Sequence, residues 1–257
     1  MQRFTNINHL QQKIKSRVKW MENMVFNTQP KKLPTTYSLE KYITSIYDQG
    51  QLGSCTANAF CQSLRMQEVM KGQTPVFEPS RLFFYYNERV VENTVNEDSG
   101  ADVDDGLKYT IKYGVCDESL WPYNISKFEE KPPQEAFDDA LNHKIKTFHN
   151  IPQGRSIVEH IKQTIVEQLP VLIGIAIYDS FETSVVAHTG IVPMPNTLSE
   201  TLLGGHEMTV IGFDDNTGMF KVVNSWSSTF GDKGCVYIPY TYFETPDLCL
   251  QACYFMA

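Results

Sequence analysis

At 257 residues and 42% hydrophobic content, the chain is long enough to bury one large core or two smaller ones. Its formal net charge of −8 argues against the basic face that nucleic-acid or anionic-membrane partners require, so neither is expected. No run approaches the roughly 18 consecutive apolar residues of a membrane span, and Met1-Gln2-Arg3-Phe4-Thr5-Asn6 leads into no apolar stretch of signal-peptide type, so the expected location is the cytoplasm or the inside of a particle.

Ile7, Leu10, Ile14, Val18 and Met21 recur at helical spacing and predict an amphipathic helix within residues 1–28. It reads either as a docking helix padding the back of the protein, the favoured reading, or as a short pro-segment over a cleft. Asn27 to Pro34 reads as an extended linker. From Ser54 the pattern turns helical, with Ala57, Phe60, Cys61 and Leu64 on one face and Lys71-Gly72 as the stop. Pro79-Ser80 opens a second helix through Leu82, Phe83, Tyr86 and Arg89, and a third runs from Asp104 to Tyr113, ending at Gly114.

Ser156 to Leu169 is amphipathic, with Ile157, Ile161, Ile165 and Leu169 as its ridge and Pro170 after it. Strands are predicted at Val171–Tyr178, Met208–Phe213, Phe220–Val223, Cys235–Ile238 and Cys253–Met256, with turns at 214–218 and 231–234. A helical half followed by a strand-rich half predicts an α+β protein of two lobes, helical over about 50–130 and β-rich over about 140–257.

The six cysteines (Cys55, Cys61, Cys116, Cys235, Cys249, Cys253) are expected to be reduced thiols, most of them small core residues. Their spacings form no zinc set, and no metal or cofactor is expected. Cys55 stands apart because it begins a helix, where unpaired N–H groups and the dipole favour a thiolate. Gly53-Ser54 permits a tight turn before it, and Gln49 supplies a carboxamide. Of the histidines, His9, His143, His149 and His160 are expected to be solvated and His188 to be a core residue. His206 follows Gly204-Gly205 and is expected to open a strand; Asn224 ends another, eighteen residues later, and precedes Ser225-Trp226. A thiol, an imidazole and two carboxamides in this order are the parts of a thiol acyl-transfer enzyme.

Four motif regions carry a resemblance. They are Tyr47-Asp48-Gln49-Gly50-Gln51-Leu52-Gly53-Ser54-Cys55-Thr56-Ala57-Asn58-Ala59; Asp98-Ser99-Gly100-Ala101 with Lys112-Tyr113-Gly114-Val115 and Trp121-Pro122-Tyr123; Gly204-Gly205-His206-Glu207-Met208-Thr209-Val210-Ile211-Gly212-Phe213; and Asn224-Ser225-Trp226 with Gly231-Asp232-Lys233-Gly234. In this order they resemble the papain family of cysteine peptidases, from about Leu33 to the C-terminus. Leu52 replaces the family's disulfide cysteine and Thr56 its tryptophan, while Ser227, Phe230 and Cys235 depart from the usual Gly, Trp and aromatic. The wording is most similar to a branch found in bacteria, archaea and large DNA viruses.

The resemblance implies a papain-like two-lobed fold over residues 35–257, with the active-site cleft between the lobes and residues 1–34 as helix and linker. It implies a cysteine endopeptidase acting on peptide or protein substrates, with Cys55 as nucleophile, His206 as imidazolium partner and base, and Asn224 orienting the imidazole. Gln49 and the Cys55 backbone N–H would bind the oxyanion, and Trp226 would shield the His206–Asn224 bond. Gly100 and Ala101 would hold extended substrate by backbone hydrogen bonds, and Gly205 with the stretch Val185 to Pro195 would wall a side-chain pocket. The alternative is a latent or non-catalytic binding protein of the same fold, its cleft blocked by residues 1–28. Amine transfer in the manner of a transglutaminase fits less well, since its third residue is usually Asp.

Overall fold

Capping side chains place the helices of the first half. The computed structural model describes residues 32–257, so the helix expected within residues 1–28 lies outside the described residues. Helix α1 (Cys55–Met70) is buried along almost its whole length. Helix α2 (Arg81–Glu92) begins at Ser80, whose hydroxyl accepts the Phe83 N–H at 3.1 Å. Helix α3 (Val103–Tyr113) begins at Asp102, which accepts the Asp104 N–H at 3.0 Å, and stops at Gly114. Gly114 sits at φ 78°, and a Cβ there would lie 1.6 Å from the Ala140 carbonyl oxygen, so only glycine fits. Short helices follow at α4 (Gln134–Ala140), α5 (Ile157–Val166), α6 (Ser184–Thr189) and α7 (Tyr240–Glu244).

The strands are β1 (Thr36–Ser38), β2 (Thr147–Asn150), β3 (Val171–Tyr178), β4 (Leu202–Asp214), β5 (Met219–Val223), β6 (Cys235–Pro239) and β7 (Cys249–Met256). They form one antiparallel sheet in the order β2-β7-β3-β4-β5-β6, with β1 added to the distal part of β4. Two apolar cores result. Phe60, Leu64, Leu82, Phe83, Tyr85 and Leu107 fill the helical one, and Phe255, Cys253 and Leu172 reach into it from the sheet. Ile161, Ile165, Ile173, Val210, Phe220 and Tyr242 belong to the other, on the opposite side of β3 and β4. Thr209 of β4 donates to the Ala59 carbonyl at 3.0 Å, and Gln67 donates to the Phe255 carbonyl at 3.1 Å, so α1 is anchored to the sheet at two points.

Several predicted boundaries move. The α5 helix stops three residues before Leu169, because Gln168 takes φ 63° and cannot continue a right-handed helix. Strand β4 begins at Leu202 instead of 208, since Gly204 and Gly205 pair with Ile177 and Ala176. His206 therefore lies within a strand, opposite Ile175, and does not open one. Strand β7 likewise begins at Cys249, while β1 and β2, of 3 and 4 residues, are too short to leave a period-2 signal.

The histidine expectations are corrected too, apart from that for His9, which lies outside the described residues. His188 is exposed on α6, whereas His143 is half-buried and stacks on Phe77 with ring centroids 4.0 Å apart. His149 is half-buried against Tyr254, and His160 is also half-buried. All six cysteines are buried. Among the described residues, no helix is long and apolar enough to cross a membrane.

Candidate active site

Cys55 is the first residue of α1 and is 1% exposed. The turn that delivers it is held from two directions. Asp98 accepts the Gly53 N–H at 2.9 and 3.2 Å through its two oxygens, and also the Tyr85 hydroxyl at 2.7 Å. On the other side, the Ser54 hydroxyl lies 2.5 Å from the Tyr123 phenol. Arg89 supports the same region from beneath. Its position in the apolar pattern of α2 is real, for it is fully buried, but its guanidinium donates to the carbonyls of Val95, Glu97 and Phe128. Those bonds compensate the burial of the charge and fix the loop that carries Asp98.

The imidazole comes from β4, and its carboxamide from the residue that directly follows the neighbouring strand β5. His206 Nε2 lies 2.8 Å from Asn224 Oδ1. The Ser225 backbone N–H also points at Asn224 Oδ1, at 2.8 Å. A backbone N–H only donates, so that atom is the amide oxygen, and Nε2 must then carry the hydrogen. In the neutral ring Nδ1 is consequently the proton acceptor. Trp226 stacks on His206 at 4.8 Å with an interplanar angle of 27°, and meets Phe181 and Phe230 edge-on. The indole is 4% exposed, and His206 and Asn224 beside it are buried as well.

Gln49 joins the two lobes. Its backbone N–H donates to the Ser225 carbonyl at 2.9 Å, Ser227 N–H donates to the Tyr47 carbonyl at 3.1 Å, and Asp48 bridges Trp226 between them. Its side-chain oxygen accepts the Ser225 hydroxyl at 2.6 Å and its amide nitrogen donates to the Leu52 carbonyl at 3.0 Å. Ser225 thus ties Gln49 to Asn224, a role that the motif contains but that only the fold displays. A depression of about 910 Å³ lined by Tyr37, Glu40, His188, Lys221 and Tyr237 among others includes none of Cys55, His206, Asn224 and Gln49.

The remaining sequence candidates fall nearby. Gly100 takes φ 69° two residues after Asp98, and Ala101 is buried in the helical core. Gly205 precedes His206 on β4, opposite Ala176. Thr56, which replaces the usual tryptophan, donates to Glu88 Oε2 at 2.8 Å. It marks the edge of a buried acidic seam between α2, α3 and the sheet.

On the sheet side of that seam stands Glu207, next to His206 but on the opposite face of β4. Gly174 makes room for it, since a Cβ there would lie 2.8 Å from Glu207 Oε2. Burial pushes the Glu207 carboxyl well above the usual range, Asp102 and Asp104 add to this, and a hydrogen bond from Gln251 opposes it. Burial also pushes Glu88 well up, against the Thr56 bond, with Glu92, Asp102 and Glu207 adding to the rise. Both groups hold protons in the folded protein that the unfolded chain releases above its ordinary carboxylate pKa of about 4.3. Their contribution to stability is therefore full at acidic pH and is lost as pH rises toward the folded values. Glu207→Gln, which cannot ionise, is expected to raise the thermal midpoint relative to wild type at pH 8–9, with the difference vanishing near pH 4–5. A difference that stays constant across this range would refute the assignment.

A helical lobe packed on an antiparallel sheet, with a helix-opening cysteine on one and a histidine–asparagine pair on the other, is the architecture of a papain-like cysteine protease. The chain belongs to the papain family of cysteine proteases, whose family model matches residues 33–249. It is 39% identical over 232 residues to an uncharacterised peptidase C1-like protein of Acanthamoeba polyphaga mimivirus, covering 86% of this chain and 74% of that protein. It is 27% identical over 204 residues to cathepsin L1 of Drosophila melanogaster, where the match covers 76% of this chain but only half of the relative's length. Among solved structures, xylellain, a cysteine protease from Xylella fastidiosa, superposes with a TM-score of 0.81 at 32% identity, covering 90% and 91% of the two chains. A digestive procathepsin L 3 of Tenebrio molitor shares the fold at 18% identity with a TM-score of 0.73, covering 91% of this chain and 73% of that one.

Proposed function

We propose that the protein is a cysteine endopeptidase in which Cys55, His206, Asn224 and Gln49 carry the chemistry. The observation that carries this reading is the His206 Nε2–Asn224 Oδ1 bond of 2.8 Å, whose polarity is set by the Ser225 N–H. With Nε2–H committed to Asn224, Nδ1 is the nitrogen that exchanges a proton with the Cys55 thiol. The start of α1 favours the resulting thiolate, and its first turn contains no acidic residue to oppose that effect.

In the proposed reaction, the Cys55 sulfur attacks the peptide carbonyl carbon and the carbonyl π electrons move onto oxygen. Gln49 and the Cys55 N–H stabilise that oxyanion; an amide nitrogen has two hydrogens, and Leu52 accepts one of those on Gln49. The tetrahedral species collapses, the C–N bond breaks, and the His206 Nδ1–H protonates the leaving amine. Water then attacks the thioester with Nδ1 taking its proton, and a second collapse expels the thiolate and releases the acid. Gly100, Ala101 and Gly205 are assigned to holding the extended peptide, and Trp226 to shielding the imidazole.

Alkylation of Cys55 by iodoacetamide as a function of pH, read by peptide mapping, tests the pair. Labelling is expected to persist below about pH 6, two units or more under an ordinary thiol. His206→Ala should move the profile up toward about pH 8.5. Labelling that rises only near that value in the unmodified protein would mean an unactivated cysteine and overturn the reading.

A further inference from the structure

We propose that Tyr123 is a positioning residue for the oxyanion site, its phenol bridging the two ends of the turn that carries both oxyanion donors. The inference rests on the assignment of Cys55 and Gln49 made above. One donor is the Gln49 side chain at the start of the turn and the other is the Cys55 N–H at its end, so their separation depends on the backbone between them.

The hydrogens in this turn have one consistent arrangement. Tyr123 O–H donates to the Gln49 carbonyl at 2.9 Å. A phenol has a single hydrogen, so at the 2.5 Å contact with Ser54 the serine hydroxyl must be the donor. The Ser54 oxygen in turn accepts from Asn58 Nδ2 at 3.1 Å, and the same nitrogen donates to the Ser54 carbonyl at 2.9 Å. The relay therefore runs from Asn58 in the first turn of α1 through Ser54 and Tyr123 to the backbone of Gln49. Burial, the largest influence, pushes the phenol up to about 12, so its donor hydrogen is present throughout the working pH range.

Tyr123 is itself held in place. The Arg81 guanidinium lies 4.0 Å from its ring centroid and 4.3 Å from that of Tyr47, and pairs with Glu118 at 2.6 Å. Glu118 also accepts the Tyr123 backbone N–H at 3.3 Å. A ring clamped by a cation and a carboxylate, presenting one hydroxyl to two points of the turn, is suited to fixing a distance. Packing alone would need only the ring.

Tyr123→Phe separates the two possibilities, because it retains the ring and its stacking on Arg81 and removes the hydroxyl alone. Expected is a fall in kcat for peptide substrates of about tenfold, with an equal loss of affinity for a peptide aldehyde that forms a tetrahedral adduct. KM, the thermal midpoint and the rate of Cys55 alkylation by iodoacetamide should stay at wild-type values, since that displacement develops no charge on a carbonyl oxygen. Ser54→Ala should act in the same direction, and the double variant should be no worse than the worse single one. Wild-type kcat and aldehyde affinity in Tyr123→Phe would overturn the proposal. So would kcat and alkylation falling together, which would place the defect in the thiol pair or the fold. Peptide turnover persisting in Cys55→Ala would instead sink the underlying assignment and this proposal with it.

Discussion

Replacing Cys55 by alanine is expected to reduce peptide turnover by on the order of 10⁴-fold or more, to the limit of detection, while leaving the fold intact. The loss is large because the cycle begins with attack by the sulfur and passes through its thioester. The fold should survive because the substitution puts the best helix former at the first position of α1 and removes only one buried atom. His206→Ala should be nearly as damaging, and the double variant should be scarcely worse than either single one, since a nucleophile and its base act as a unit. The measurement is kcat/KM on a fluorogenic peptide beside a thermal melt. Undiminished activity in Cys55→Ala would remove the assignment.

Gln49→Ala should lower kcat by about 10²- to 10³-fold with KM little changed, the range expected when one oxyanion donor is lost. The effect should be confined to acyl transfer. Iodoacetamide labelling of Cys55 should keep its rate, because the thiolate does not depend on the carboxamide. Gln49→Glu sharpens the test, for the side chain is nearly isosteric but offers acceptors and a negative charge where the carbonyl oxygen becomes anionic. It should be at least as impaired as the alanine variant. Removal of the carboxamide also deprives the Ser225 hydroxyl of its acceptor, so a parallel Ser225→Ala variant measures how much of the loss is positional. If Gln49→Ala retained wild-type kcat, the oxyanion donors would have to be sought elsewhere in the turn.

Much of this site was legible as local pattern. The helix opening at Cys55, the cap at Ser80, the stop at Gly114 and the β3 run each depend on residues within one or two turns of one another. Gln49, Cys55, His206 and Asn224 could be selected because each lies in a motif, although nothing in the spacing reveals which atoms meet. Asp98, Ser225 and Tyr123 lie within motifs whose local pattern assigns them no role. Their partners lie 45, 176 and 69 residues away along the chain. For Arg89 and Glu207 the sequence does not say how a charged side chain comes to be buried. The first is buried by finding carbonyls to bond, the second by keeping its proton.

His206 marks the boundary between the two kinds of information. Its selection as the proposed base rests on the chain itself, on Gly204-Gly205 before it and on the distance to Asn224. That it sits within β4, opposite Ile175, beneath Trp226 and with its Nε2 on Asn224 Oδ1, is a property of the assembled sheet. Local sequence determines which segments form helices and strands, because capping, turn formation and apolar periodicity act over a few residues, but the start of β4 was set by its pairing with β3. Register, burial and hydrogen-bond polarity arise only when distant strands come into contact, so the tertiary structure alone decided which nitrogen of this imidazole donates to Asn224 and which is left to accept a proton.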